Sequence, residues 1–262
     1  SGGAAGLVGV VLLGLEHPFL RQLFLHQFLD LFAVGWLNLA IVGVLWSRLG
    51  RDGLPHERVP VGSMAVLLLP TFVLGVTPSL VPEWLFWLAA FANAGAAGLL
   101  SVHLRSLWQR RRHLLWPAHF GLAALAVIVL SAYILLIPGF WSWSGGGQLR
   151  IFYLHTLLLA WISTQLITLI KQASTVAHKL RSQTIETLWV GGTLIMLVAL
   201  LGIGFSMVLP IAQTVWLAIA AWAGVAVALA SLLLLIEVVT VRRHTRLQDP
   251  WSEGVAAGRL PE

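Results

Sequence analysis

The feature that most constrains this chain is a succession of apolar runs, each long enough to cross a bilayer. A helical span needs about 20 consecutive apolar residues. About seven stretches meet that length, at residues 23–46, 61–80, 82–102, 115–137, 151–170, 187–209 and 214–239. Each run is far longer than a barrel strand and none alternates, which excludes a β-barrel as the main architecture. Only 10% of the residues are charged, against about 25% in an average soluble domain, so the chain could not cover its own surface in water. The expected fold is an all-α integral membrane protein, a bundle of about seven transmembrane helices. Residues 4–15 are apolar but too short to span. They place a partial eighth helix or an interfacial segment within residues 1–22, ahead of a transmembrane domain over 23–240 and a cytoplasmic tail over 241–262.

The charges that exist sit between the spans, and their distribution predicts the orientation. Arg48, Arg51 and Arg58 follow the first span, and Arg105, Arg110, Arg111 and Arg112 follow the third. Lys171, Lys179 and Arg181 follow the fifth, and Arg242, Arg243 and Arg246 follow the seventh. The opposite loops, around 79–83, 138–149 and 210–213, carry almost no positive charge. By the positive-inside rule the basic side is cytoplasmic and the C-terminus is inside. This pattern also accounts for the net charge of +6 and excludes a nucleic-acid partner, since no continuous basic face exists to track phosphates. The chain has no cysteine, which removes disulfides, thiolate metal sites, iron–sulfur clusters and c-type haem attachment.

Small residues recur at four-residue spacing at Ala90, Ala94 and Gly98 and again at Ala220, Gly224 and Ala228. Such seams let helix backbones approach in lipid. Trp84, Trp87, Trp108, Trp116, Trp141, Trp143 and Trp189 lie near span ends, where an aromatic belt belongs. The glycines at 145–147 lack the lysine and helix of a phosphate loop and read as an outer turn.

Polar groups inside lipid are costly, and each asks for a reason. His26 lies just inside the outer end of the first span, and Asp30 follows one turn later on the same helical face. Asn38 lies deeper. His155 occupies the corresponding depth in the fifth span. Two histidines at equal depth on neighbouring helices suffice for bis-imidazole ligation of a b-type haem, given an apolar pocket. Asp30 would then orient a ring N–H, ligate a metal directly or carry protons. A second pair, His103 and His119, ends the third span and opens the fourth near the cytoplasmic face. That pair offers a second haem or a metal ion, or else simple interfacial placement. His56, His113, His178 and His244 fall in basic loops or tails, His17 precedes the first span, and Glu237 is placed to snorkel or to pair with Arg242 or Arg243.

Two segments resemble each other: LHQFLDLFAVGWLNLAIVGVLW from Leu25 and LHTLLLAWISTQLITLI from Leu154. The first resembles the His-bearing helices of catalytic subunits of haem-copper oxidases and nitric oxide reductases, with the run Gly35, Trp36, Leu39, Ala40, Ile41 and Gly43. WPAHFGLAALAVIVL from Trp116 looks like a helix of the shorter NnrS-type membrane proteins. The resemblance implies haem b held near the outer side by His26 and His155, in a protein of a bacterial or archaeal cytoplasmic membrane. It further implies an electron-carrying subunit within a larger respiratory or redox complex, with other subunits and the lipid bilayer as partners. The chain lacks the paired-histidine copper motif, so a copper-centred oxygen-reducing site does not follow. Two other classes stay open: a carrier handling a metal ion or protons through His26 and Asp30 without haem, and a structural scaffold subunit.

Overall fold

The structure is a computed structural model and describes residues 8–9, 18–49, 61–146, 149–173, 179–206, 208–209 and 211–248. All regular structure among them is helical. Helix α1 (Pro18–Asp30) passes through a π-helical segment, Leu31–Leu37, into α2 (Asn38–Leu49). Helix α3 (Val61–Leu68) tightens into a 3-10 segment, Leu69–Gly75. Then come α4 (Glu83–Gln109), α5 (Trp116–Ile134) and the short α6 (Phe140–Gly146). Helix α7 (Leu149–His155) passes through a second π segment, Thr156–Ser163, into α8 (Thr164–Ala173). Helices α9 (Lys179–Gly204) and α10 (Gln213–Gln248) complete the chain.

Six continuous helical stretches are long and apolar enough to cross a membrane: Phe19–Arg48, Glu83–Gln109, Trp116–Ile134, Leu149–Gln172, Gln183–Gly204 and Gln213–Thr240. Each overlaps an expected span. The remaining expected span, 61–80, forms only a shorter apolar helix, Gly62–Gly75. Pro70 cannot donate a backbone hydrogen bond, so the α-helix gives way to 3-10 geometry there. The chain then turns extended at Val76, with ψ at 146°. Because a 3-10 helix rises about 2.0 Å per residue against 1.5 Å for an α-helix, the combined segment reaches about 26 Å. It is therefore longer than the same residues would be as an α-helix throughout. The first helix begins at Pro18, ahead of the expected start, and the last runs to Gln248, beyond the expected boundary at 240. The expected segment 4–15 falls outside the described residues, Val8 and Gly9 apart, as do 249–262.

The core lies between the two π-interrupted helices and their neighbours. Leu45, Leu100, Leu122, Leu125, Leu157 and Trp161 form one apolar cluster there. In the seam at Ala90, Ala94 and Gly98 both alanines are buried and the glycine is half-buried, and a Cβ on Gly98 would meet the Tyr133 hydroxyl of α5 at 3.3 Å. The second seam is rotated. Gly224 faces open space and Ala228 is exposed, whereas Ala223, Val227 and Ala230 are buried. Gly192 of α9 is the small residue that admits this face: a Cβ there would touch Ala226 and Val227 at 3.1 and 3.2 Å.

Side-chain hydrogen bonds pin the middle of the bundle. Trp161 Nε1 donates to Asn38 Oδ1 at 2.8 Å, tying the second π segment to the residue that follows the first. Trp189 Nε1 donates to Thr164 Oγ1 at 2.9 Å, and Gln165 Nε2 donates to the Ala118 carbonyl at 3.1 Å. In a low-dielectric interior an unpaired polar group is costly, so each such bond also fixes which helices can be neighbours.

Candidate functional site

The residues brought together by the fold are His26, Asp30 and Arg150. On α1 the four-residue spacing places His26 and Asp30 on one face, with His26 Nδ1 and Asp30 Oδ2 4.0 Å apart. Arg150, in the first turn of α7, reaches across to both. Its Nη2 donates to Asp30 Oδ2 at 2.7 Å, to Oδ1 at 3.0 Å and to His26 Nδ1 at 2.7 Å. A guanidinium has no acceptor, so His26 Nδ1 accepts, and the neutral ring then carries its proton on Nε2. Asp30 is only 5% exposed, and a carboxylate buried to that extent is sustained by a paired cation rather than by water.

Gly75, the last residue of the 3-10 segment, closes the cluster from below. A Cβ there would collide with the Arg150 guanidinium and the His26 ring, so only glycine lets this backbone approach so closely. Gln22 anchors the same stretch, its Oε1 accepting from the Thr77 amide at 2.8 Å and from the Thr77 hydroxyl at 2.9 Å.

The cluster opens on a cavity of about 440 Å³ lined by Asp30, Gly75, Asn93, Ser131, Arg150 and Tyr153 among mainly apolar side chains. A wider groove of about 1110 Å³ runs between α9 and α10, but no charged side chain lines it. Of the two, the smaller cavity offers a guest an ion pair, with charge and direction, where the groove offers uncharged polar and apolar side chains.

His155 is placed differently. Its Nδ1 lies 2.8 Å from the Ile151 carbonyl one turn back, and a carbonyl only accepts, so Nδ1 carries the proton and Nε2 keeps its lone pair. That is the tautomer a metal-bound histidine adopts. Among the described residues no hydrogen bond or ion pair joins His155 to His26. Bis-imidazole ligation needs a free lone pair on both rings. His155 meets that requirement, whereas His26, with Nδ1 taken by Arg150 and its proton on Nε2, does not in this arrangement.

The second expected pair has partners of its own. His103 is buried and its Nδ1 accepts from Trp46 Nε1 at 3.2 Å. Arg110 lies over the same Trp46 ring at 5.7 Å. His119 Nε2 donates to the Arg111 carbonyl at 2.9 Å. Among the described residues no three His, Asp or Glu side chains converge as metal ligands do. His17, His56 and His178, and the side chains of His113, His244, Arg242 and Arg243, lie outside the described residues.

Three features escaped the sequence reading. Arg150 marks a helix start by position, yet it is the one basic residue bordering the three loops that carry almost no positive charge, and that exception was the available signal. Gly75 and Tyr153 carried none. A further ion pair joins Lys171 Nζ to Glu186 Oε1 at 3.0 Å between α8 and α9, at the opposite end of the bundle. Comparison with protein-family models, with curated proteins and with solved structures found no match to this chain.

Proposed function

We propose that this chain is a ligand-binding multi-pass membrane protein of the carrier class, with the cavity headed by Asp30 and Arg150, the latter also held by His26, as its working site. The observation that carries this reading is the pair formed by buried Asp30 and half-buried Arg150, opening on a cavity of about 440 Å³. Charged groups are held inside a bilayer where they meet a substrate, an ion or each other, and an apolar chamber with a polar head suits a small guest. The positive-inside rule puts the basic clusters in the cytoplasm and this site in the opposite half of the membrane. Bilayer lipid and other subunits of a membrane complex are its partners on this reading.

The test is extraction. Solvent treatment of protein purified in a mild detergent is expected to release a small molecule from wild type and not from Ser144→Trp, which fills the cavity. Release of the same compounds from both proteins, or of none from wild type, would count against the proposal.

A second reading is favoured by one observation, the free Nε2 of His155. There the chain is a haem-b-binding electron carrier of a redox complex, as its resemblance to haem-copper oxidase and NnrS-type proteins implies, and His155 is the axial ligand. A reduced-minus-oxidised spectrum separates the two: sharp α and β bands that vanish in His155→Ala support haem, and a colourless protein from haem-replete cells removes it.

A further inference from the structure

The polar groups lining the cavity fall into two sets. Four hydroxyls are already engaged: Thr71 Oγ1 donates to the Leu68 carbonyl at 2.7 Å, Ser131 Oγ to Ile128 at 2.8 Å and Ser144 Oγ to Trp141 at 3.1 Å, while Thr77 Oγ1 donates to Gln22 at 2.9 Å. The second set is unengaged. Arg150 Nε is buried and meets no hydrogen-bond partner. Among the described residues neither the Tyr153 hydroxyl nor the Asn93 amide makes a side-chain hydrogen bond, and all three residues line the same cavity. An orphaned buried donor costs the full desolvation of that group, which a guest with an oxygen acceptor would recover.

The charge of that acceptor is set by Asp30. Its carboxylate already neutralises the guanidinium at 2.7 and 3.0 Å. A second anion on Arg150 would lie close to Asp30 in a low-dielectric setting and be repelled, and a cation would be repelled by Arg150 itself. An uncharged carbonyl oxygen accepts two hydrogen bonds and carries neither penalty. The rest of the lining is apolar and suits a hydrocarbon body.

Resting on the cavity as the working site, we propose that its guest is an uncharged, lipid-soluble molecule with a carbonyl headgroup. Arg150 Nε and the Tyr153 hydroxyl donate to that oxygen, and Asn93 completes the polar rim. The carbonyl is that of a free apolar ketone or of a bilayer lipid ester.

The experiment is photocrosslinking of the full chain in nanodiscs with a diazirine-tailed methyl ketone. Unlabelled methyl undecyl ketone, laurate and dodecyltrimethylammonium serve as competitors of matched tail. The ketone alone is expected to compete in wild type. Arg150→Lys keeps the charge beside Asp30 but lacks the Nε donor, and Asn93→Leu leaves the ion pair untouched; each is expected to weaken ketone competition about tenfold or more. Asp30→Asn is expected to admit laurate, since the guanidinium is then unneutralised. Laurate competing in wild type as well as the ketone does, or Arg150→Lys and Asn93→Leu both leaving competition unchanged, would overturn the carbonyl assignment alone. Crosslinks that map to no cavity residue in wild type would overturn the working site itself. Weaker probe competition in ester-linked than in ether-linked nanodiscs would identify the lipid ester as the source, and equal competition in both would identify a free ketone.

Discussion

The two π-interrupted helices make a comparison within one chain. In each, a polar residue stands immediately before the π segment, Asp30 in one and His155 in the other, and a tryptophan follows at the same interval, Trp36 and Trp161. Their surroundings diverge. Asp30 is buried against Arg150, whereas His155 is half-buried and bonded to its own helix. Trp36 is 64% exposed, facing outward, whereas Trp161 is fully buried and donates to Asn38. A π segment inserts a residue into the turn and rotates every side chain beyond it. The same local device therefore presents a charge to the interior in one copy and a tryptophan in the other. What differs is the neighbour: α7 brings Arg150 to Asp30, and among the described residues no charged side chain bonds to His155.

Five single substitutions and one double variant test that contrast. The largest effect is expected from Asp30→Ala, which leaves Arg150 uncompensated and should cost about 3–5 kcal/mol, read as loss of stability in detergent unfolding. Combining it with Arg150→Ala should recover most of that loss. If the single variant unfolds like wild type, the pair does not distinguish the first π-interrupted helix from the second. Gly75→Ala comes next. Its new methyl group meets both the guanidinium and the His26 ring, and about 1–3 kcal/mol is expected, together with weakened probe crosslinking.

Trp161→Phe should lose about 1–3 kcal/mol by stranding the Asn38 carbonyl oxygen. The matched Trp36→Phe should stay within about 0.5 kcal/mol of wild type. Equal losses at the two tryptophans would erase the comparison. A small effect, below about 1 kcal/mol, is also expected at His155→Ala, because its bond to Ile151 is local. A larger loss accompanied by a change in visible absorbance would move the functional weight from the Asp30 copy to the His155 copy.

Much of the fold was legible in the sequence, because lipid enforces length and polarity on every span. The long helices fall where uncharged runs fall, and Ala90, Ala94 and Gly98 sit at a real interface. The seam on the last helix was misplaced because α10 is apolar all round, so periodicity could not reveal which side meets α9. His26 and Asp30 were legible as costly residues on one helical face. Their partner was not, since helix adjacency is decided by packing and Arg150 looked like an ordinary helix-end residue. Neither π segment was legible: an inserted residue leaves the composition of an apolar run unchanged.

The 3-10 segment beneath the site has a further consequence, concerning the membrane rather than the ligand. Its seven residues, Leu69–Gly75, would shorten by about 3.5 Å if they relaxed to α geometry. A segment able to trade length for hydrogen-bond geometry in this way would act as a ruler for hydrocarbon thickness, with Gly75 at the end that would move. Thin bilayers would draw that glycine away from the guanidinium it supports, and thick ones would press it home. Ligand affinity should therefore vary with acyl-chain length in nanodiscs, which would make the thickness of the host membrane an input to the site.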